Sequence, residues 1–275
     1  MSHASRERFR DLVARTPDRL DLACLLIAAE AQDPGIDLGA FLDRGLAELD
    51  ALAETVSPAG RDDDRLRDAL TAFRGSPGDY ELLGSSLLPQ VLRRRRGLPI
   101  LLSTVWTETA RRTGIAAYGV ALPGHFVVGI GDPATFRADL LDGTRVLVDP
   151  WSGGRLLPYD RARDLVERAG FAFRREFLAP ASGIATVARI LANIQAWAAH
   201  PLRATTRLWA IDLALDLPDP SPRLLRDRAL ALLDMGHGPL AQRWLEEYAD
   251  VVADASPAEA ESARAQAQRA RALLN

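Results

Sequence analysis

The apolar positions of this chain fall into three successive regimes, and the first is helical. From Asp18 to Gln32 the residues Leu20, Leu22, Ala23, Leu25, Leu26, Ile27 and Ala29 leave almost no polar side, which predicts a central, buried helix. A second helix opens at Asp37 and places Leu38, Phe41, Leu42, Leu46, Leu49, Leu52 and Val56 on its inner face. A third starts at Arg61-Asp-Asp-Asp-Arg65, where the helix dipole favours negative charge, so the acidic triplet reads as a cap in preference to a metal site. Another helix begins near Ser85 and ends in Arg93 to Arg96. The next runs from Pro99 to Thr113, opened by Gly97-Leu98-Pro99 and closed by Gly114.

After Gly114 the period shortens. Ala117 to Leu122, His125 to Ile130, Phe136 to Leu141 and Arg145 to Asp149 are short runs rich in Val, Ile, Leu and aromatics, separated by turn signals such as Gly131-Asp-Pro and Asp142-Gly143. They predict an antiparallel meander. Leu156 to Tyr159 reads as a final strand, Asp160 to Ala169 as a helix and Phe171 to Ala181 as a linker. Beyond it helical spacing returns in Ile184 to His200, Leu202 to Leu217, Pro222 to Met235, Pro239 to Ala255 and Pro257 to Leu274. Arg223 to Met235 followed by Gly238 to Val251, with Tyr248 near the end, has the size and small-large spacing of one tetratricopeptide repeat. The expected organisation is an α+β domain over 1–180 and an all-α, tetratricopeptide-like domain over 181–275.

Composition narrows the chemistry. The 275 residues, 48% apolar and 26% charged, describe a soluble globular protein, and a formal charge of -3 implies no general attraction to nucleic acid or to an anionic membrane. No apolar run approaches the roughly 18 residues of a membrane span, and the first residues do not form a signal peptide. The cytoplasm is the expected location. A single cysteine rules out an internal disulfide, a thiol pair and a Cys-rich zinc site, and neither metal nor cofactor is expected. All 34 basic residues are Arg, which excludes a Schiff-base lysine, a phosphate-loop lysine and a lysine general base. The run Arg93 to Arg96 complements the dipole at a helix end and needs no nucleic-acid partner.

The candidate chemistry centres on Leu122-Pro-Gly-His-Phe126. A helix leads into this stretch, His125 starts one strand, and Asp149 ends the next strand but one. Cys24, inside Leu22-Ala-Cys-Leu-Leu-Ile27, reads as a small core hydrophobe, with relocation towards His125 as a nucleophile the competing reading. Ser103 is the nearest hydroxyl on the 99–113 helix.

Four phrases in order carry a resemblance: Val91-Leu-Arg-Arg-Arg-Arg-Gly-Leu-Pro-Ile100, Ala110-Arg-Arg-Thr-Gly-Ile115, Gly119-Val-Ala-Leu-Pro-Gly-His-Phe126 and Asp149-Pro-Trp-Ser-Gly-Gly154. Together the chain resembles the bacterial SirB branch of transglutaminase-like proteins, over most of its length from Asp21 onward. The resemblance implies a papain-like core in which a helix-borne Cys, a His and an Asp form a triad. The helix start lowers the thiol pKa, the His takes its proton and the Asp fixes the His tautomer. It also implies tetratricopeptide-like helices at the C-terminus. Counting back from Gly114-Ile115, the Cys position falls at or near Pro99, which has no nucleophile, and the resemblance implies that the branch lacks the thiol as well. Where its members carry Asn two residues before the Val-Leu, this chain has Pro89. Glu30 is similar to a Glu of that branch, so Glu30, Pro99 and Trp151 are candidates to line a cleft around the catalytic candidates His125, Asp149 and Ser103.

Three readings stay open. One is a pseudoenzyme that binds a peptide or protein partner in the old cleft; another is an amide- or ester-processing enzyme with His125 and Asp149 as a general-base pair; the third is a helical scaffold with no working cleft.

Overall fold

The structure, a computed structural model, describes residues 3–32, 35–133 and 146–272. Its chain forms two compact units, one made of Met1–Ser5 and Thr16–Ile190, the other of Arg6–Arg15 and Leu191–Asn275. α1 is His3–Arg15, most of it in the second unit, and the first unit holds α2 Leu20–Glu30, α3 Leu38–Glu54, α4 Asp62–Leu70, α5 Leu88–Arg94 and α6 Pro99–Thr113. Then come β1 Ala117–Val120, β2 Val127–Ile130, β3 Val146–Asp149, β4 Arg155–Leu156 and α7 Tyr159–Arg168. The chain goes on as α8 Gly183–Trp197, α9 Ala204–Leu215, α10 Arg223–Asp234, α11 Gly238–Val252 and α12 Pro257–Ala272. The architecture is α+β, with C-terminal helices after the sheet.

The sheet order is β1-β2-β3-β4, all antiparallel. Val128 opposes Val148, so the strand that follows His125 lies directly beside the strand that ends in Asp149. The expected strand at Phe136 to Leu141 and the turn at Asp142-Gly143 lie outside the described residues. Other elements are shorter than their apolar runs: α5 starts at Leu88 and not near Ser85, and β2 starts at Val127, leaving His125 in the turn before it.

α2 is buried along most of its length, as an all-apolar helix must be, and α6 lies beside it with Trp106 fully enclosed. Leu98 precedes Pro99 at the start of α6, and Gly114 closes the helix in the left-handed conformation at φ 73°. On one side of the sheet Val120, Leu122, Val127 and Leu147 pack against Ala162 and Val166 of α7 and against Leu178. That last contact corrects the reading of 171–181 as a linker. Leu178 is buried, Phe173 and Phe177 pack partly against the same core, and the Ala181 amide donates to the Gly119 carbonyl at 2.8 Å. With the bridge between Val120 and Pro180, the segment covers the edge of β1 that would otherwise be open to pairing.

In the second unit α9, α10, α11 and α12 pack each on the next. Buried Ala260, Ala263, Ala267 and Ala270 make α12 small-sided towards Ala241, Leu245 and Tyr248. Phe9 is buried in α1, and Arg6 and Arg228 both reach the Asp212 carboxylate at 2.6 Å. No helix among the described residues is long and apolar enough to cross a membrane.

One ionic cluster ties three helices of the first unit together. Asp21 of α2, fully buried, accepts from Arg19 at 3.0 Å, Arg111 at 2.9 Å and Arg112 at 2.8 Å. Arg112 of α6 also reaches Glu108 at 2.8 Å and Asp50 of α3 at 2.7 Å. Burial works to raise the Asp21 carboxyl, but its arginine partners and the Leu22 amide hold it below the ordinary value. Burial first, and then the Asp21 charge, push Glu108 above its ordinary value against the pull of Arg111 and Arg112. Replacing one carboxylate of such a cluster leaves cations without compensation. Asp21→Ala is therefore expected to cost about 3 kcal/mol, read from chemical denaturation of the full chain; a loss below about 1 kcal/mol would show that the cluster is not a structural anchor.

Candidate functional site

The turn Leu122 to His125 presents the imidazole. The His125 amide donates to the Leu122 carbonyl at 3.1 Å, which closes the turn ahead of β2. β3 then delivers Asp149 beside it, and His125 Nε2 lies 3.0 Å from Asp149 Oδ1. Both side chains are largely buried, at 13% and 12% exposure, and this limits competition from water for the contact.

Asp149 also caps the short helical turn Pro150–Ser152. Its Oδ1 accepts from the Trp151 amide at 3.0 Å, and its Oδ2 accepts from the Ser152 hydroxyl at 2.7 Å. Burial works to raise this carboxyl, but the His125 hydrogen bond and charge, with the Ser152 and Trp151 donors, hold it below the ordinary carboxylate value. The two glycines that follow are required by the same turn. Gly154 sits at φ 79°, and a Cβ there would come within 2.3 Å of the Trp106 ring. Asp149-Pro-Trp-Ser-Gly-Gly154 is thus a turn that holds its own carboxylate and rests on the buried Trp of α6.

Trp151 is placed by contacts on both sides. Its carbonyl accepts from the Gly75 amide at 3.0 Å, and its ring lies so close to Gly75 that a Cβ there would meet it at 1.8 Å. Tyr80 stands 5.6 Å from the Trp151 ring centroid at a tilt of 51° and is half-exposed. The loop that carries Tyr80 is fixed by buried Asp79, which accepts from the Ser76 amide and hydroxyl, from Ser85 and from Arg94 at 2.8 to 3.1 Å. Arg96 also pairs with Asp79, Arg95 stacks 6.0 Å from the Phe73 ring centroid, and Arg93 bonds Gln90. Each member of the 93–96 run therefore has a partner inside the protein.

The other sequence candidates separate. Ser103 is fully buried within a residue's reach of His125, but its hydroxyl faces the Phe126 carbonyl at 3.4 Å. Pro99 is buried at the first position of α6. Glu30 accepts from the Ser5 hydroxyl, and no described hydrogen bond links it to His125 or Asp149. Cys24 is 2% exposed, and burial, reinforced by Glu108 and Asp21, pushes its thiol far above the reactive range. No group of three potential ligands that could hold a metal occurs among the described residues. Beside Asp149 and Ser152 a cavity of about 250 Å³ opens between β4 and α7, floored by Leu156, Leu157 and Leu165.

Two site residues escape a reading by phrases. Tyr80 lies in a short 3₁₀ turn, Pro77–Glu81, too brief to show a periodicity. Arg189 of α8 donates to the Leu122 carbonyl and to the His125 carbonyl, both at 3.0 Å, and stacks 5.5 Å from the Phe126 ring centroid. Its signal was present in the sequence as a lone charge among Val187, Ile190, Leu191 and Ile194, all buried.

Two outcomes are expected of this geometry. Because the folded Asp149 carboxyl titrates below its unfolded value, its contribution to stability is complete above the ordinary Asp value of about 3.9 and disappears as pH falls through the folded value. The stability gap between wild type and Asp149→Asn, measured by denaturation across pH, should therefore be largest near neutrality and shrink in acid; a gap independent of pH would contradict it. Cys24 should resist iodoacetamide in the native chain and react readily in denaturant. Labelling of the native thiol as fast as that of a free peptide would overturn this placement.

Comparison with known proteins agrees with the geometry. The sequence profile described as Transglutaminase-like superfamily matches residues 43–192, more than half of the chain. A UPF0162 protein of Xylella fastidiosa is 35% identical over 187 residues, 64% of this chain and 62% of that protein. A UPF0162 protein of Pseudomonas aeruginosa is 36% identical over 143 residues, 48% of this chain and 53% of its own length. The match to the mouse F-box only protein 21 is 27% identical over 121 residues, 44% of this chain and 19% of that protein. The chain thus matches under two thirds of the length of these relatives, and no solved structure matches it significantly. With a family profile over more than half its length, laid across a helix-then-sheet core that pairs a His with an Asp, the chain belongs to the transglutaminase-like superfamily.

Proposed function

We propose that this protein is a transglutaminase-like pseudoenzyme that binds a peptide or protein segment at the His125–Asp149 face. The observation that carries the reading is a hydrogen-bonded His–Asp pair beside a helix whose first turn, Leu98-Pro99-Ile100, offers no nucleophile. Transglutaminase-type acyl transfer proceeds through a thioester, and the one thiol of the chain is sealed in α2. Ser103 is a poor substitute. One turn into the helix, it sits about 6 Å along the axis from the terminal amides that would stabilise an oxyanion, and its hydroxyl faces the Phe126 carbonyl. The side chains around the pair are those of a recognition surface: Trp151 and a half-exposed Tyr80, aromatic types enriched at binding hot spots.

In this reading the chain is a SirB-type protein of the cytoplasm. Its C-terminal helices, read as tetratricopeptide-like, add a further protein-binding surface, and nucleic acid and membrane are not its partners. A second reading is favoured by the same dyad: His125, oriented by Asp149, acts as general base on water attacking an amide or ester, an effect worth typically 10²- to 10⁴-fold.

Paired measurements on wild type and His125→Ala separate the two. Binding of a partner recovered by pull-down is measured beside hydrolysis and amine exchange on a glutamine-containing peptide library. The pseudoenzyme reading expects no turnover by either protein and a partner affinity that falls about tenfold or less in the variant. Turnover by wild type that is lost in a folded His125→Ala protein would establish the hydrolase instead.

A further inference from the structure

Arg189 is the one group around His125 whose electrostatics the described residues leave incomplete. Its guanidinium is half-buried and donates only to two neutral acceptors, the Leu122 and His125 carbonyls, each at 3.0 Å. No carboxylate among the described residues pairs with it. Desolvation holds its pKa below the ordinary arginine value, with the Tyr80 phenol acting against this. Elsewhere in the unit, arginines this far from water meet acids: Arg112 pairs with Asp21, Glu108 and Asp50, and Arg94 with Asp79. A cation taken out of water without a counter-ion is costly, and the cost is removed when an anion arrives.

The groups around it lead back to the dyad. His125 Nε2 meets Asp149, whose Oδ1 takes the Trp151 amide. The Trp151 ring meets Tyr80, the Arg189 charge acts on the Tyr80 phenol, and Arg189 itself donates to the His125 carbonyl. The guanidinium is therefore fixed to the backbone of the dyad's His125 turn and lies against the Phe126 ring. Two of its N–H groups are engaged by carbonyls, and the remainder keep the planar fork that suits a carboxylate.

We propose that Arg189 is the carboxylate-recognition residue of this site: the bound peptide presents a carboxylate, from its C-terminus or from an acidic side chain, to the Arg189 guanidinium while an apolar neighbour packs on Tyr80 and Trp151. This rests on the reading of the His125–Asp149 face as a peptide-binding surface and names the class of peptide it takes. Exposed Tyr80 and the uncompensated charge act together, the first giving area and the second selecting acid over amide.

The test uses the full chain, immobilised, and three pools of random hexapeptides free of acidic residues except as stated. One pool is amidated at the C-terminus, one ends in a free carboxylate, and one is amidated but carries a central Glu. Wild type is expected to retain one or both carboxylate pools at least about tenfold over the neutral pool, the scale of one charge-assisted pair, and which pool is retained identifies the source of the carboxylate. Arg189→Gln should remove the discrimination while the protein stays folded by circular dichroism. If loss of the two carbonyl bonds unfolds that variant, Arg189→Lys decides, because it keeps the charge but not the fork; its discrimination should weaken about fivefold. Equal retention of all three pools, retention of none, or a preference unchanged in the folded Arg189 variant overturns the assignment. A partner that is still bound without turnover while the pools are not distinguished would sink this inference alone, whereas turnover by wild type that is lost in a folded His125→Ala protein would sink the binding reading beneath it.

Discussion

Three donors converge on one carboxylate, and the site depends on that convergence. Asp149 accepts from the His125 ring, the Trp151 amide and the Ser152 hydroxyl, so a single buried anion orients the imidazole, starts the turn after β3 and fixes the backbone that carries the Trp151 ring. Removing a carboxylate in this position strands three polar groups at once. The sheet register makes the convergence possible. With Val128 opposite Val148, the end of β3 falls beside the start of β2, and His125 needs only the turn ahead of the strand to reach it.

Below this surface α6 supplies rigidity. In a thiol-bearing relative of this fold the helix start would be the reactive end. Here Leu98, Pro99 and Ile100 are buried apolar groups, and the polar residues of the helix are turned to structural tasks. Ser103 meets a carbonyl of the His turn, Trp106 supports Gly154, and Arg111 with Arg112 binds Asp21. A helix with so many fixed contacts holds the backbone around the His125–Asp149 pair in place.

Much of this was legible in the sequence because turn residues and period changes are local. Gly114, Pro123-Gly124 and the Asp149 phrase marked the borders of helix and sheet, and the order helix, His, Asp placed the pair. Other features escaped for identifiable reasons. Phe171 to Ala181 has no periodicity, so it read as a linker, yet Phe173, Phe177 and Leu178 are apolar enough to cover the β1 edge. The partner of Arg6 lies far down the chain in α9, and nothing in residues 1–15 announces an ion pair with Asp212. Tyr80 is held by buried Asp79, whose acceptor role is visible only once Ser76, Ser85, Arg94 and Arg96 are brought together.

The absence of lysine sharpens the last point. All 34 cations are guanidinium groups, and a guanidinium stays charged where an ammonium would shed its proton, while its planar fork can serve several acceptors at once. The fold uses this repeatedly in its interior. Arg112 bridges three carboxylates on three helices, Arg94 joins Ser85 to Asp79, and Arg228 meets Asp212 while stacking 4.1 Å from the Trp244 ring centroid. A run such as Arg93 to Arg96 is a basic stretch in the sequence, and in the fold Arg94 and Arg96 clamp buried Asp79 while Arg93 and Arg95 stay exposed. Charge counted along the chain misplaces the electrostatics of this protein. What matters is which guanidinium has acids around it and which has none among the described residues, and Arg189, held by two carbonyls and the Phe126 ring, is of the second kind.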